Sequence, residues 1–144
     1  MTSILELVEA RLLEQATELA SVDLIEDIEA IALGTAPRSG ACFVAPWKDN
    51  GEENQIATGG FEQTVLVEFL TAIVIRTDDD VKGRARVLKL EALKTSVERA
   101  LVGWQPMGES MPTSFVGAQA GRMPQRNCSV LVQTWETSRF LTGE

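Results

Sequence analysis

Residues 61–77 read FEQTVLVEFLTAIVIRT, and no other segment restricts the fold as tightly. Val65, Val67, Phe69, Ile73 and Ile75 fall on one side of an extended chain, while Glu62, Thr64, Glu68 and Arg76 punctuate the other. Successive side chains of a strand point to opposite faces. A period of two over this length therefore predicts a long antiparallel strand with one face buried and the other half open to solvent. Its backbone needs strand partners and its apolar face needs a cover, and the rest of the chain contains candidates for both.

The partners come first. "ACFVAPW" (41–47) reads as a short strand that Pro46 ends or marks as a sheet edge. "TSFVGAQAGRM" and "CSVLVQTWETSRF" predict two further strands, joined by a turn around Pro124 to Asn127. For the cover, "SILELVEARLLEQATELA" opens with Ser3 three residues before Glu6, the spacing at which each side chain satisfies a backbone N–H of the first turn. Apolar residues at positions 4, 5, 8, 12, 16 and 19 then predict a helix from Ile4 to about Ala20. A second short helix is expected from Asp23 or Leu24 to Leu33, closed by Gly34 with Pro37 soon after.

A third helix follows Asp78, Asp79 and Asp80, with Asp80 as its cap. Ala85, Leu88 and Ala92 form one apolar track on it and Leu90, Leu93, Val97 and Leu101 a second. Its end, "ERALVGWQPMG", places Gly103 for a left-handed C-cap, Trp104 to fold back over the last turn, and Pro106 to prevent continuation. At 144 residues the whole is one α+β domain, residues 1–144: a mostly antiparallel sheet of about four strands with helices packed on one face.

Composition narrows the chemistry. The chain has no histidine and no tyrosine, which removes the commonest general base, the commonest metal ligand and every Ser-His or Cys-His nucleophilic pair. No phosphate-cradling glycine motif occurs, and the carboxylate pairs Glu52-Glu53 and Asp78-Asp80 lack the alternating spacing of a calcium loop. No catalytic residue, cofactor or metal is expected. No apolar run is long enough for a membrane span, and Glu6, Glu9 and Arg11 interrupt the first apolar stretch, so no signal peptide is expected either. Cys42 and Cys128 sit in strand-like runs as buried free thiols, which suits a protein made in a cytoplasm.

The net charge of −8 argues against a dedicated nucleic-acid binder, which needs a surplus of cations on some face. Its distribution is uneven: residues 1–36 hold eight acids against Arg11 alone, whereas residues 99–144 hold four arginines against three acids. The polar stretch "KDNGEENQIATGG" (48–60) is expected to be a loop, longer than ordinary connections and therefore a candidate for function.

In order, "FVAPW", the loop "NGEENQIATGG", the strand "FEQTVLVEFLTAIVIRT" and the helix end "LVGWQP" resemble the tail terminator-like proteins of long-tailed bacteriophages, including Mu-like ones. Those proteins carry an "FVVP"-type strand, a glycine- and asparagine-containing loop, a long "Q-V-E-F" strand and an amphipathic helix ending in "LLGW-P". The similarity spans nearly half the chain, and the N-terminal helix and C-terminal strand pair lie where the family has them.

The resemblance implies a virion structural protein at the head–tail junction. Such a protein forms a six-membered homo-oligomeric ring that caps the tail tube protein, stops its polymerisation and meets neck or head-completion proteins. Genomic DNA passes through the lumen without specific binding, and no membrane is involved. It further implies that Trp47, Lys48, Asp49, Asn50, Glu52, Glu53, Asn54 and Gln55 belong to an interface, and that Asp78, Asp79 and Asp80 face the lumen or a neighbour. A head-completion or neck stopper protein, and a small-ligand-binding α+β domain, are the alternatives. A ring of heterologous contacts suits a chain whose two ends differ in charge, and an acidic lumen would let DNA slide.

Overall fold

A computed structural model describes residues 3–32, 37–53, 60–76, 83–123 and 128–142. In chain order its elements are helix α1 (Ile4–Gln15), strand β1 (Ser21–Leu24), a 3-10 turn (Ile28–Ala32), strands β2 (Ala41–Gly51) and β3 (Glu62–Arg76), helix α2 (Arg84–Leu101), and strands β4 (Ser114–Met123) and β5 (Cys128–Thr142). The strands form one sheet in the order β1-β2-β3-β5-β4. Among the described residues only the β1–β2 pair is parallel. The α+β expectation holds, with five strands rather than about four.

β3 takes the centre, as its pattern predicted. It pairs with β5 without a break from Glu62↔Thr142 to Arg76↔Cys128, and with β2 on its other side. On one face, Phe69, Ile73 and Ile75 are fully buried with Trp135 of β5 beneath the two helices. α1 contributes Ile4, Val8 and Leu12 to this core, and α2 contributes Leu90, Leu93, Val97 and Leu101. A polar line runs through it: the Trp135 indole Nε1 donates to Thr71 Oγ1 at 3.0 Å, and the Thr71 hydroxyl donates to Gln133 Oε1 at 3.0 Å. Buried polar atoms that lack partners are costly, so these bonds fix the order in which the side chains pack.

The other face is only half open. Leu70, Ala72 and Val74 of β3 are buried there, because the 3-10 turn lays Ile28 and Ile31 across Phe43, Val130 and Cys128. The exposed alternation survives toward the start of the strand, where Glu62 is open to solvent and Thr64 and Glu68 are partly so. Helices cover one face, as expected, and a short turn partly covers the second.

Several boundaries differ from the expectation. α1 keeps its capping box, with Glu6 N–H donating to Ser3 Oγ and Ser3 N–H to Glu6 Oε1, each at 3.2 Å, but it ends at Gln15 instead of about Ala20. Ala16 is buried and the chain turns there, so that the Ala20 N–H donates to Gly40 O at 2.9 Å at the mouth of the sheet. The second helix is absent in its predicted form: Ser21–Leu24 is a strand, and only Ile28–Ala32 coils, as a 3-10 turn. Edge pairing with β2 wins over the helical spacing of Val22, Ile25 and Ile28, a case of tertiary contacts overriding local pattern.

β2 does not stop at Pro46. It runs on to Gly51 through a bulge between Pro46 and Lys48, so Lys48–Gly51 is strand rather than loop. α2 starts at Arg84 behind Gly83, whose φ of 82° is left-handed, and not behind Asp80. On α2 the Leu90-to-Leu101 track is buried, while Leu88 is 54% exposed and Ala85 and Ala92 are also exposed. Arg86, Ser96 and Ala100 complete the buried side instead. The predicted Gly34 stop, the acids Asp78 to Asp80 and the turn at Pro124 to Asn127 lie outside the described residues.

The end of α2 matches its reading. Gly103 takes φ of 79° and its N–H donates to Thr113 O at 2.8 Å. The half-buried Trp104 packs on the main core, and the Arg11 guanidinium sits 5.5 Å from its ring centroid while Arg11 Nε donates to Ala100 O at 2.8 Å. A cation from α1 thus satisfies a last-turn carbonyl of α2 and ties the two helices together.

Candidate assembly interface

The bulge in β2 builds the first part of the candidate surface. Pro46 pairs with Phe69 and Lys48 with Glu68, which leaves Trp47 as the extra residue. A bulged residue is released from the ladder and the strand bends there, so a large indole ends up 57% exposed beside an otherwise well-packed sheet. Past the bulge, Lys48, Asp49 and Asn50 project from β2 with exposed side chains. Lys48 Nζ lies 3.9 Å from Glu68 Oε2, and Asp49 Oδ2 accepts from Arg139 Nη2 at 2.8 Å across the top of β3. Glu52 N–H donates to Thr64 O at 2.9 Å, keeping that exposed acid and its neighbour Glu53 at the strand end.

Of the predicted interface residues, Trp47, Lys48, Asp49, Asn50, Glu52 and Glu53 therefore share one strand end, while Asn54 and Gln55 lie outside the described residues, as do Asp78, Asp79 and Asp80. They do not all point the same way. Asp49 belongs to the helix-side face near the start of α1, in a cleft with Ser3, Met107 and Arg139. Trp47 turns to the opposite face, where it flanks a groove of about 560 Å³ floored by Leu70, Val130 and Val132.

That groove was missed in the sequence. Its signal was the run Leu66, Leu70, Ala72 and Val74 on the supposedly polar side of β3. Its far wall is β4, where Gly117 and Gly121 carry no side chain and an added Cβ would meet nothing within 4 Å. The absence of side chains there, not a cleft between domains, keeps the groove open.

Burial raises the Cys42 thiol to about 12, which keeps it protonated and unreactive. The Ser96 hydroxyl, which donates to Glu18 Oε2 at 2.6 Å, lowers the Glu18 carboxyl, and the hydrogen bond that the Lys94 ammonium donates to the Glu91 carboxylate raises Lys94. Each of these is a structural contact remote from the groove. Both cysteines are buried, Cys42 in the helix-side core and Cys128 in the opposite one. Among the described residues no cluster of metal-ligating side chains occurs, and no helix is long and apolar enough to cross a membrane.

The geometry is that of a mostly antiparallel sheet with helices on one face, an apolar groove on the other and charged groups gathered at one strand end. Residues 3–138 match the family model described as phage tail terminator protein, and the chain belongs to that family. None of the curated proteins matches it significantly. Among solved structures, a chain of the virion of a native gene transfer agent particle shares the fold with a TM-score of 0.60 at 15% identity, over 91% of this chain and 90% of that one. The protein is thus a phage tail structural protein and a component of a virion.

Proposed function

We propose that this chain is the terminator of a long-tailed phage particle. It forms a homo-oligomeric ring, hexameric as the family resemblance implies, on the last ring of tube subunits. There it stops tube polymerisation and presents a surface to neck or head-completion proteins at the head–tail junction. The observation that carries the reading is the family match over residues 3–138, nearly the whole domain. The chemistry supports it. The exposed acids Asp49, Glu52 and Glu53 and the bulged Trp47 stand at one end of the sheet, where charged groups set docking specificity and an aromatic supplies buried area. The surplus of acid over the first 36 residues disfavours a hold on the DNA that passes through.

Electron microscopy of particles made without the protein tests the proposal. Tails of uncontrolled length that fail to join filled heads are expected, because a terminator ends a polymer and does not build it. Tails of normal length attached to filled heads would overturn the assignment, and normal tails beside unattached heads would move it to a neck stopper.

A further inference from the structure

The groove and the outward side of α2 lie on opposite faces of the sheet, and their chemistry is complementary. Ile28 borders the groove, and around it Glu26, Asp27 and Glu29 are exposed acids with no ion pair among the described residues. No base occurs from Ser21 to Ala32. The rim at Ile28 is therefore acidic, beside an apolar floor of Leu70, Val130 and Val132. Arg122 borders the β4 wall, but it pairs with Ser129, which stands opposite Ile75 of the helix-side core, so alternation sends its side chain to the other face.

α2 shows the reverse. Successive residues of a helix are turned by about 100°, so Arg84, Ala85, Leu88 and Ala92 fall within about a third of a turn on its outward side. All four are exposed, and the small Ala85 and Ala92 leave Leu88 as a lone apolar projection. Arg84 stands one turn before Leu88 and Lys89 next to it, both exposed and neither in an ion pair among the described residues. No acid occurs from Gly83 to Leu90. A cation in the first turn runs against the helix dipole, a cost that an acid from outside the subunit offsets. The tracks on α2 thus divide: the buried one finishes the core, and the Ala85-Leu88-Ala92 one faces outward with cations beside it.

We infer that a second copy of this chain seats the outward side of its α2 in the groove of the first, with Leu88 over the apolar floor and Arg84 and Lys89 against Glu26 and Glu29. Each copy then gives its helix layer to one neighbour and its groove face to the other. The contact is heterologous, and repeated it gives a closed ring or an open helix, not a two-fold dimer. Like charge opposes the two-fold alternatives, since α2 on α2 brings Arg84 and Lys89 together and groove on groove brings the acids together. The inference rests on the homo-oligomeric reading above and assigns it a pair of surfaces.

A double variant, Leu88→Cys with Gln119→Cys, tests it in assembled particles treated with a short bifunctional maleimide. Gln119 pairs with Val132 of the groove floor, so within one copy positions 88 and 119 face away from each other, and the native Cys42 and Cys128 are buried. A ladder of covalent multimers is expected from the double variant and none from either single one. As a second measurement, Arg84→Glu with Lys89→Glu, and Glu26→Lys with Glu29→Lys, should each lower incorporation into particles at least tenfold, and combining the four should restore most of it. Intact rings with neither ladder nor rescue would overturn the groove contact while leaving the ring reading standing. Cross-linking that stops at dimers would overturn it in favour of a two-fold contact. Single copies in both solution and tails would overturn the contact and the ring together.

Discussion

The two faces of the sheet are closed to different depths. Under the helices, Trp135, Phe69, Val8, Leu12, Val97 and Leu101 are all fully buried, and the capping box, the Arg11 contact and the Thr71 hydroxyl close that side, with the buried Gln133 Nε2 left as an amide nitrogen without a hydrogen-bond partner. On the opposite face the 3-10 turn covers the end of the sheet near Val74 and Cys128, then stops, and an open groove continues between Trp47 and β4. The sealed face carries the stability of the domain. The open one is where surface can be given to another molecule without loosening the core.

The three tryptophans sample this difference, one in each setting. Trp135→Ala should have the largest effect. It empties a fully buried site, leaves Phe115 without the ring it meets edge-on at 5.4 Å, and removes the donor to Thr71, so a loss of about 3–5 kcal/mol is expected in a urea titration. Survival with less than about 1 kcal/mol lost would mean that the helix face is not the stabilising one. Trp104→Ala comes next. The ring is half-buried and its stacking with Arg11 is worth about 0.5–1 kcal/mol, so a total near 1–2 kcal/mol is expected, and Arg11→Met should recover less than half of the native difference in a double-mutant cycle.

Trp47→Ala should have the smallest effect on the isolated chain, within about 0.5 kcal/mol, because a bulged and 57% exposed indole gives up little on truncation. Its effect should appear in assembly, as reduced incorporation into particles at equal expression. If instead it melts the domain as Trp135→Ala does, the groove is part of the core and the contrast between the faces fails.

How much of this was legible differs by region. The helix face could be read because both its partners announce themselves: the period of two in Val65, Val67, Phe69, Ile73 and Ile75 matches the helical tracks Ile4-Val8-Leu12 and Leu90-Leu93-Val97-Leu101. Gly103 and Trp104 were readable because a left-handed residue followed by proline has few uses other than ending a helix. Along β2 the reading failed at Pro46, since local chemistry predicts a strand end there and only the bulge lets pairing resume at Lys48.

β1 was invisible for a different reason. Four residues parallel to a strand that starts at Ala41 leave no hairpin turn to mark them, and the spacing of Val22, Ile25 and Ile28 fits a helix equally well. Of the candidate site, Lys48 to Glu53 was legible as polar chain, though as loop, and Trp47 as the last residue of a strand, but their division between two faces was not, because that depends on one extra residue in a ladder.

The unbroken pairing of β3 with β5 also sets a time order. Its partners lie 52 positions apart at Arg76↔Cys128 and 80 apart at Glu62↔Thr142, with α2 and β4 in between. Contacts so distant in sequence form slowly, because the intervening chain must be closed into a loop before any bond repays it. Of the elements described, β5 is also the one synthesised last. Until it arrives, the central strand of the nascent chain has an open edge, and Phe69, Ile73 and Ile75 wait for Trp135. The domain is therefore most prone to aggregation just before β5 is complete, and its yield in the host depends on how quickly that final strand finds its place.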